Sequence, residues 1–294
     1  MRLTIPEEEL MTPGHKACQG CGATLAMRYA LKALGPRTVV AIPACCWTVL
    51  EGEYPYTSLR VPLFHTAFET AASVSAGIKA GLRAKGKGDV TVMAWAGDGG
   101  TFDIGIQALS GAAERGDDLI YVCYDNEAYM NTGIQRSSAT PYGAWTTTTP
   151  LNRFENRPKK DIVEIMVAHG ISYAATATIA YPEDLIAKLR KAKGKEGVKF
   201  IHILSPCPPG WRFPSNLTVK ISRLAVLSRF FPLYEVEDGV YRITVNPRKT
   251  VPVEEFLRLQ GRFRHLGDEE IERIKGWVEE RWRRLVEKAE VMRR

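Results

Sequence analysis

Long apolar runs are missing from this chain. No stretch of its 294 residues approaches the roughly 18 consecutive apolar residues that a membrane-crossing helix needs. The first residues, MRLTIPEEELMTPGHK, are polar and acidic and lack the charged-then-apolar layout of a secretory leader. A cytoplasmic, reducing location with no membrane contact is therefore expected. Histidine is sparse, at 5 residues, and no H-x-x-x-H occurs. Only one C-x-x-C is present, so zinc bound by two close ligand pairs is disfavoured. Charge of a single sign is not segregated either. The net charge is +7, yet Lys and Arg interleave with Glu, most densely in EEIERIK and VEERWRRLVEK. Alternating signs describe a solvated helix face, which argues against a nucleic-acid partner. Internal repeats and low-complexity segments are also lacking.

What is present is an ordinary globular composition, 45% hydrophobic and 25% charged. Short apolar, β-branched runs fall at Thr38–Pro43, Asp89–Ala96, Leu119–Asp125, Ser172–Ala177 and Lys199–Ser205. Helical patterns lie at Ala23–Leu34, Ala67–Lys85, Ile104–Arg115, Asp161–His169 and Pro182–Lys193. This alternation predicts an α/β fold, a mostly parallel sheet with helices on both faces. The stretch from Asn126 to Lys160 has no regular period, and a connection this long is usually functional or disordered. Its Tyr and Trp argue against simple disorder. After Pro206 the alternation stops. We divide the chain into a ligand-binding domain, 1–210, and a C-terminal extension, 211–294. The extension carries a possible hairpin near Tyr234–Val245 and a terminal helix. In that helix Ile271, Ile274, Val278, Trp282, Leu285 and Ala289 form a stripe that needs a partner surface, on this chain or another.

The strand ending at Ala96 runs into Gly97-Asp98-Gly99-Gly100. Glycines let backbone approach a ligand closely, and free N–H groups with a helix beginning near Asp103 would form an anion site. A carboxylate amid those donors makes sense if a cation such as Mg²⁺ bridges it to a phosphate. The next strand ends in Asn126-Glu127-Ala128, and in open parallel sheets ligands sit beyond the carboxyl ends of strands. The plainer reading is a tight strand-to-helix turn with Asp98 as its cap.

Six cysteines occur: Cys18, Cys21, Cys45, Cys46, Cys123 and Cys207. In a reducing compartment, clustered cysteines bind metal or do chemistry more often than they pair. Cys18-Gln19-Gly20-Cys21 lacks the preceding strand of a thioredoxin-type dithiol. A four-cysteine iron–sulfur cluster would be served by Cys18, Cys21, one of Cys45 or Cys46, and Cys207. Cys123, in mid-strand, is read as inert. His65 and Glu69, ahead of a helix, are read as structural, with an approach to a cofactor as the alternative.

Asp98 followed at residue 126 by Asn resembles the thiamine-diphosphate motif. The wider run GDGGTFDIGIQALSGAAERG…YDNEAYMNTGIQRSSATPYGAWTTTTP, with the C-x-x-C near the start and SPCPPGW late, is similar to β subunits of 2-oxoacid:ferredoxin oxidoreductases. That resemblance, over roughly residues 12 to 215, implies a thiamine-diphosphate-binding fold of the diphosphate type. It implies Mg²⁺ on Asp98, Asn126 and the Ala128 carbonyl. It places Gly97, Gly99 and Gly100 near the diphosphate and Asn131 beside the cofactor. It assigns a [4Fe-4S] cluster to Cys18, Cys21, Cys46 and Cys207. The implied reaction is CoA-dependent oxidative decarboxylation of pyruvate, with electrons passing to ferredoxin. Branched-chain 2-oxoacids, 2-oxoglutarate and oxalate are the alternative substrates, and a non-catalytic metal-binding module is the alternative of another class. The activating glutamate and the onward clusters are expected on partner subunits: a pyrimidine-domain α, a γ and a ferredoxin-like δ. Two stretches depart from the family: Ala44-Cys45-Cys46-Trp47-Thr48 stands where relatives have T-G-C-x-E, and Leu151–Lys160 where they have a Gly-Lys.

Overall fold

The computed structural model describes residues 4–53 and 55–291. In chain order the elements are α1 (Gly22–Leu34), β1 (Thr38–Pro43), α2 (Trp47–Leu50), β2 (Leu63–Thr66), α3 (Ala71–Ala84) and β3 (Thr91–Gly97). There follow α4 (Ile106–Arg115), β4 (Leu119–Asp125), α5 (Ile162–Ala168), β5 (Tyr173–Thr178), α6 (Pro182–Lys193), β6 (Val198–Leu204) and α7 (Pro208–Trp211). The C-terminal part holds α8 (Thr218–Leu227), β7 (Leu233–Glu237), β8 (Val240–Val245), α9 (Val253–Arg258) and α10 (Asp268–Val291). None of the helices among the described residues is long and apolar enough to cross a membrane.

The strands form one eight-stranded sheet in the order β2-β1-β3-β4-β6-β5-β7-β8. The first six in that order pair in parallel; β7 and β8 add on antiparallel. Strands β3, β4 and β6 are buried almost throughout because helices cover both faces, and so their sequences read as unbroken apolar runs. One face carries α1 and α6 over Trp95, Val122 and Ile203; the other carries α4 and α5 over Ala94, Tyr121 and Phe200. Trp95 stands edge-on to Trp47 at 5.9 Å and stacked on Tyr124 at 5.6 Å. α1 forms because Ala23, Ala26, Met27, Ala30, Leu31 and Leu34 recur at helical spacing, and it stops at Gly35, whose φ is 81°.

The strand and helix cores expected from the sequence recur within a few residues, and Cys123 is buried in β4 as expected. Three features were not legible. β2 is a four-residue edge strand with half its residues exposed, too short to give a period. α8 and α9 form a third core with Trp211, Phe231 and Phe256. The first turns after Gly97 are a π-helical segment, Gly99–Ile104, so the regular helix begins at Ile106 and not near Asp103. A Cβ on Gly105 would lie 2.0 Å from the Gly100 carbonyl oxygen, so only glycine admits this wide turn.

The stripe on α10 is covered by this chain itself. Leu285 and Ala289 enter the core under β4, with Trp282 against it, while Ile274 enters the third core. The Arg229 guanidinium lies 4.4 Å over the Trp282 ring. β7 and β8 also complete the sheet, so the extension shares both sheet and core with the parallel strands.

Phe256 is fully buried in the third core. Phe256→Ala is expected to remove about 3–5 kcal/mol of stability. Urea unfolding followed by tryptophan fluorescence should show one transition moved to lower denaturant. An early transition confined to the C-terminal region would instead mean that the extension folds separately.

Candidate functional site

Strands β1, β3, β4 and β6 are neighbours and run in parallel, so their carboxyl ends open on one crevice. β1 delivers Ala44, Cys45 and Cys46; β3 delivers Gly97 to Gly100; β4 delivers Asn126 to Ala128; β6 delivers Ser205 to Cys207. A cavity of about 220 Å³ lies between the first three. Gly97, Asp98, Gly99, Gly100, Asn126, Ala128 and Asn131 all line it, joined by Cys45, Cys46, Phe68, Tyr124, Tyr129, Met130 and Thr132. All seven residues assigned to the cofactor from sequence therefore meet in one place. Gly99 has no room for a side chain, since a Cβ there would stand 2.2 Å from the Tyr129 ring.

Asp98 is buried, at 1% exposure. Its Oδ2 accepts from the Ser137 hydroxyl at 2.5 Å and its Oδ1 from the Asn126 N–H at 3.3 Å. No Lys or Arg among the described residues forms an ion pair with it. Burial, and then the nearby Asp125 carboxylate, push its carboxyl well above the usual range. The site is thus short of one positive charge. The Asn126 amide points one terminal atom at this gap, 2.9 Å from the Ala128 carbonyl oxygen and 3.0 Å from Asp98 Oδ1. As NH₂ that atom donates to both; as oxygen it completes a triangle of three oxygens. Neighbouring ligands of an octahedral Mg²⁺ at about 2.1 Å stand about 3 Å apart. The donor set fits a hard divalent cation in both chemistry and spacing.

A charged network beneath holds this turn in place. Glu127 takes a left-handed conformation, φ 66°, which turns the Ala128 carbonyl toward the cavity. Its side chain is buried, Oε1 accepting from Lys159 Nζ at 2.7 Å and Oε2 from Arg262 Nη2 at 2.6 Å. Arg262 lies 3.8 Å over the Trp211 ring, and Trp211 Nε1 donates to the Asn126 carbonyl at 2.7 Å. Asp125 also binds Lys159, and His202 Nε2 stands 2.6 Å from its Oδ2. Burial alone would raise the Asp125 carboxyl, but Lys159 and His202 hold it down, to about 2. Burial lowers His202 itself.

The aperiodic stretch 126–160 is ordered by polar clasps. Tyr129 Oη donates to Asp103 Oδ2 at 2.7 Å, the Ser138 N–H to the same oxygen at 3.1 Å, and Lys160 Nζ to the Phe102 carbonyl. The loop thereby closes over the π-helical turn. Sequence reasoning gave no role to Ser137, which lies inside the quoted GDGG…TTTTP run, or to Lys159 and Arg262, which lie outside it; Trp211 was visible only as the end of SPCPPGW. His65 does not line the cavity: its Nε2 pairs at 2.6 Å with the buried Glu51, an anchor for the short α2.

The C-x-x-C loop precedes α1 and is tied to the segment after β6. Gly20 has φ 74°, and a Cβ there would sit 2.4 Å from the Ser215 carbonyl oxygen. Its own carbonyl accepts from Thr218 Oγ1 at 2.7 Å, and the Gly22 N–H donates to Pro206 at 3.2 Å. Cys207 is pushed up to about 12, mainly by burial, with Cys21 and Cys18 adding to it. Cys46 is likewise raised by burial and then by Cys45, Cys207 and Cys21. Cys45 is raised by burial and lowered by hydrogen bonds with Tyr124, Trp47 and Thr48. Thiols from three separate loops thus lie within electrostatic reach of one another. Among the described residues no three His, Cys, Asp or Glu side chains converge on a single-ion position.

Arg262→Gln should leave the Glu127 carboxylate half-paired in the interior and remove about 3–5 kcal/mol of stability. Arg262→Lys is expected to recover little of it, because the flat stack on Trp211 is lost. Denaturant titration of both variants checks this; a neutral Arg262→Gln would show that the pair does not hold the turn.

Residues 45–203 match the family model described as the thiamine pyrophosphate enzyme C-terminal TPP binding domain. The ketoisovalerate oxidoreductase subunit VorB of Pyrococcus furiosus is 56% identical over 300 residues, covering 99% of this chain and 96% of that one. The pyruvate synthase subunit PorB of Methanothermobacter thermautotrophicus is 54% identical over 280 residues, covering 94% and 97%. Among solved structures, the 2-oxoglutarate:ferredoxin oxidoreductase of Magnetococcus marinus shares the fold, with TM-score 0.59, 21% identity and coverage of 76% of this chain and 81% of that one. With its thiamine pyrophosphate domain and relatives similar over nearly their whole length, the chain belongs to the family of B, or β, subunits of 2-oxoacid oxidoreductases.

Proposed function

We propose that this chain binds thiamine diphosphate, Mg²⁺ and one [4Fe-4S] cluster, and that with partner subunits it oxidatively decarboxylates pyruvate and passes electrons to ferredoxin. The observation that carries the reading is a shared wall. Cys45 and Cys46 line the same cavity as Asp98 and Asn126, while Cys46 lies within electrostatic reach of Cys21 and Cys207. Bound there, thiamine diphosphate supplies a ring that stabilises the carbanion left by carbon dioxide, and the cluster supplies a one-electron acceptor.

The chain's own residues bind, orient and shield. Asp98, Asn126 and the Ala128 carbonyl would hold Mg²⁺. Gly97, Gly99 and Gly100 leave backbone free to meet a diphosphate, and Asn131 stands at the cavity's edge. Phe68, Tyr129 and Met130 keep water from its apolar wall. Cys18, Cys21, Cys46 and Cys207 would hold the cluster; Cys45, hydrogen-bonded to Tyr124, would remain a neutral thiol on the cavity wall. Cys18 is exposed and lines a groove of about 660 Å³, the side from which a ferredoxin-like partner would draw electrons. Among the described residues Asp98 is the only acid lining the cofactor cavity, which supports assigning the activating glutamate to a pyrimidine-domain subunit. Coenzyme A is the proposed acyl acceptor. The identity to VorB favours a second reading, a branched-chain 2-oxoacid as substrate. Rates of the whole complex on pyruvate, 2-oxoisovalerate and 2-oxoglutarate separate the two.

Anaerobic purification with the partner subunits, a visible spectrum and iron, sulfide and zinc analysis test the cluster. A brown protein with about four irons and four sulfides on this chain is expected. Cys46→Ser should lose that absorbance and Cys45→Ser keep it; a colourless protein with stoichiometric zinc overturns the electron-transfer reading. Asp98→Asn should abolish Mg²⁺-dependent quenching of tryptophan fluorescence by thiamine diphosphate, and unchanged quenching would remove Asp98 from the metal.

A further inference from the structure

The segment that carries Cys207 meets the cofactor turn at two points. One is the hydrogen bond from Trp211 Nε1 to the Asn126 carbonyl at 2.7 Å. The other is a contact between Met130 and Gly210 so close that only glycine fits. A Cβ on Gly210 would stand 2.2 Å from Met130 Sδ and 2.4 Å from its Cε. The same point lies 3.4 Å from Cys207 Sγ, so the two sulfurs are no farther apart than these two distances, 2.2 and 3.4 Å, laid end to end.

Met130 also lines the cofactor cavity. Its backbone is pinned in a tight loop. The Tyr129 N–H donates to the Gln135 carbonyl at 2.9 Å, the Ile134 N–H to the Tyr129 carbonyl at 3.0 Å, and Tyr129 Oη to Asp103 at 2.7 Å. The side chain therefore stands as a wall, with the cofactor cavity on one side and a cysteine assigned to the cluster on the other. Both Met130 and Cys207 pack against the third core, which is apolar. Cys207 already accepts from the Gly210 N–H, and a thioether adds no further donor and no charge.

We infer that Met130 is a positioning residue for electron transfer: it keeps the water and hydrogen-bond donors of the cofactor cavity away from the cluster at Cys207 and so holds the cluster at a low potential. This rests on the cluster proposed above. Reduction adds one negative charge to the cluster, and dry, apolar surroundings disfavour the more highly charged form. Water or a donor on the Cys207 side would stabilise the reduced form and raise the potential. The electron taken up from the cofactor cavity would then stay on this chain instead of leaving for ferredoxin.

The test is a redox titration of the assembled oxidoreductase followed by electron paramagnetic resonance. The signal missing from Cys46→Ser identifies the cluster of this chain. Met130→Gln keeps the side-chain length and puts an amide in place of the thioether. It is expected to raise the midpoint by about 59 mV, a tenfold change in the reduced-to-oxidised ratio for one electron. Met130→Leu, which stays apolar, should titrate close to the wild type. Gly210→Ala, whose methyl displaces Met130, should shift the midpoint in the same direction as Met130→Gln and gives the reading if that variant does not assemble. An unmoved midpoint in Met130→Gln, or an equal shift in Met130→Leu, overturns the inference. Loss of the cluster from both Met130→Gln and Gly210→Ala overturns it too, since Met130 would then serve assembly and not potential. A wild-type complex with no cluster on this chain would instead sink the proposed function.

Discussion

Four neighbouring parallel strands end at one level, and each delivers a different chemical group there. The register that pairs Gly97 with Tyr124 and Asp125 with Leu204 sets the heights of the β3, β4 and β6 ends relative to one another. β1, on the far side of β3, brings two thiols to the same crevice. In an antiparallel sheet alternate loops would leave by opposite edges, and glycines, carboxylate, amide and cysteines would never share a cavity. The helices on both faces are what permit so long a parallel array, since they bury the strands that present the loops.

Holding polar loops at the rim of an apolar core requires compensation, and the molecule supplies it from a distance. Asp125 and Glu127 are buried beside the Asn126–Ala128 turn, and Lys159 and Arg262 meet them from remote points in the chain. Asp98, in the same neighbourhood, has only neutral donors. The contrast matters: two carboxylates are paired with cations of the chain and the third is not. Arg262 and Trp211 reach the turn from α7 and the segment after α9. The C-terminal part of the chain is therefore structurally continuous with the cofactor turn as well as with the sheet.

How much was readable beforehand follows from the range of each interaction. β1 and β4 were legible to the residue because a buried parallel strand is an uninterrupted apolar run. Gly97–Gly100 and Cys18–Cys21 were legible because backbone close to a ligand, or tucked against Ser215, admits only glycine between chemically active side chains. The π-helical turn was not, because it depends on the close approach of Gly105 to Gly100, which spacing alone does not reveal. Nor was the role of Arg262, Lys159 or Ser137: each lies 30 or more residues from its partner, and pairing across such a distance is not written in local spacing.

The amino-acid sequence by itself determined the α/β class, the glycines, carboxylate, amide and cysteines proposed here as ligands, and the order in which they occur. Those are properties of side-chain type and short spacing, written along the chain. Only the tertiary structure decided which of them meet. It brought Cys45 and Cys46 to the wall of the cavity that Asp98 and Asn126 line. It covered the α10 stripe with this chain's own core, and it set Met130 against Gly210 beside Cys207. These outcomes depend on strand register and on contacts between distant segments, which no stretch of sequence contains on its own.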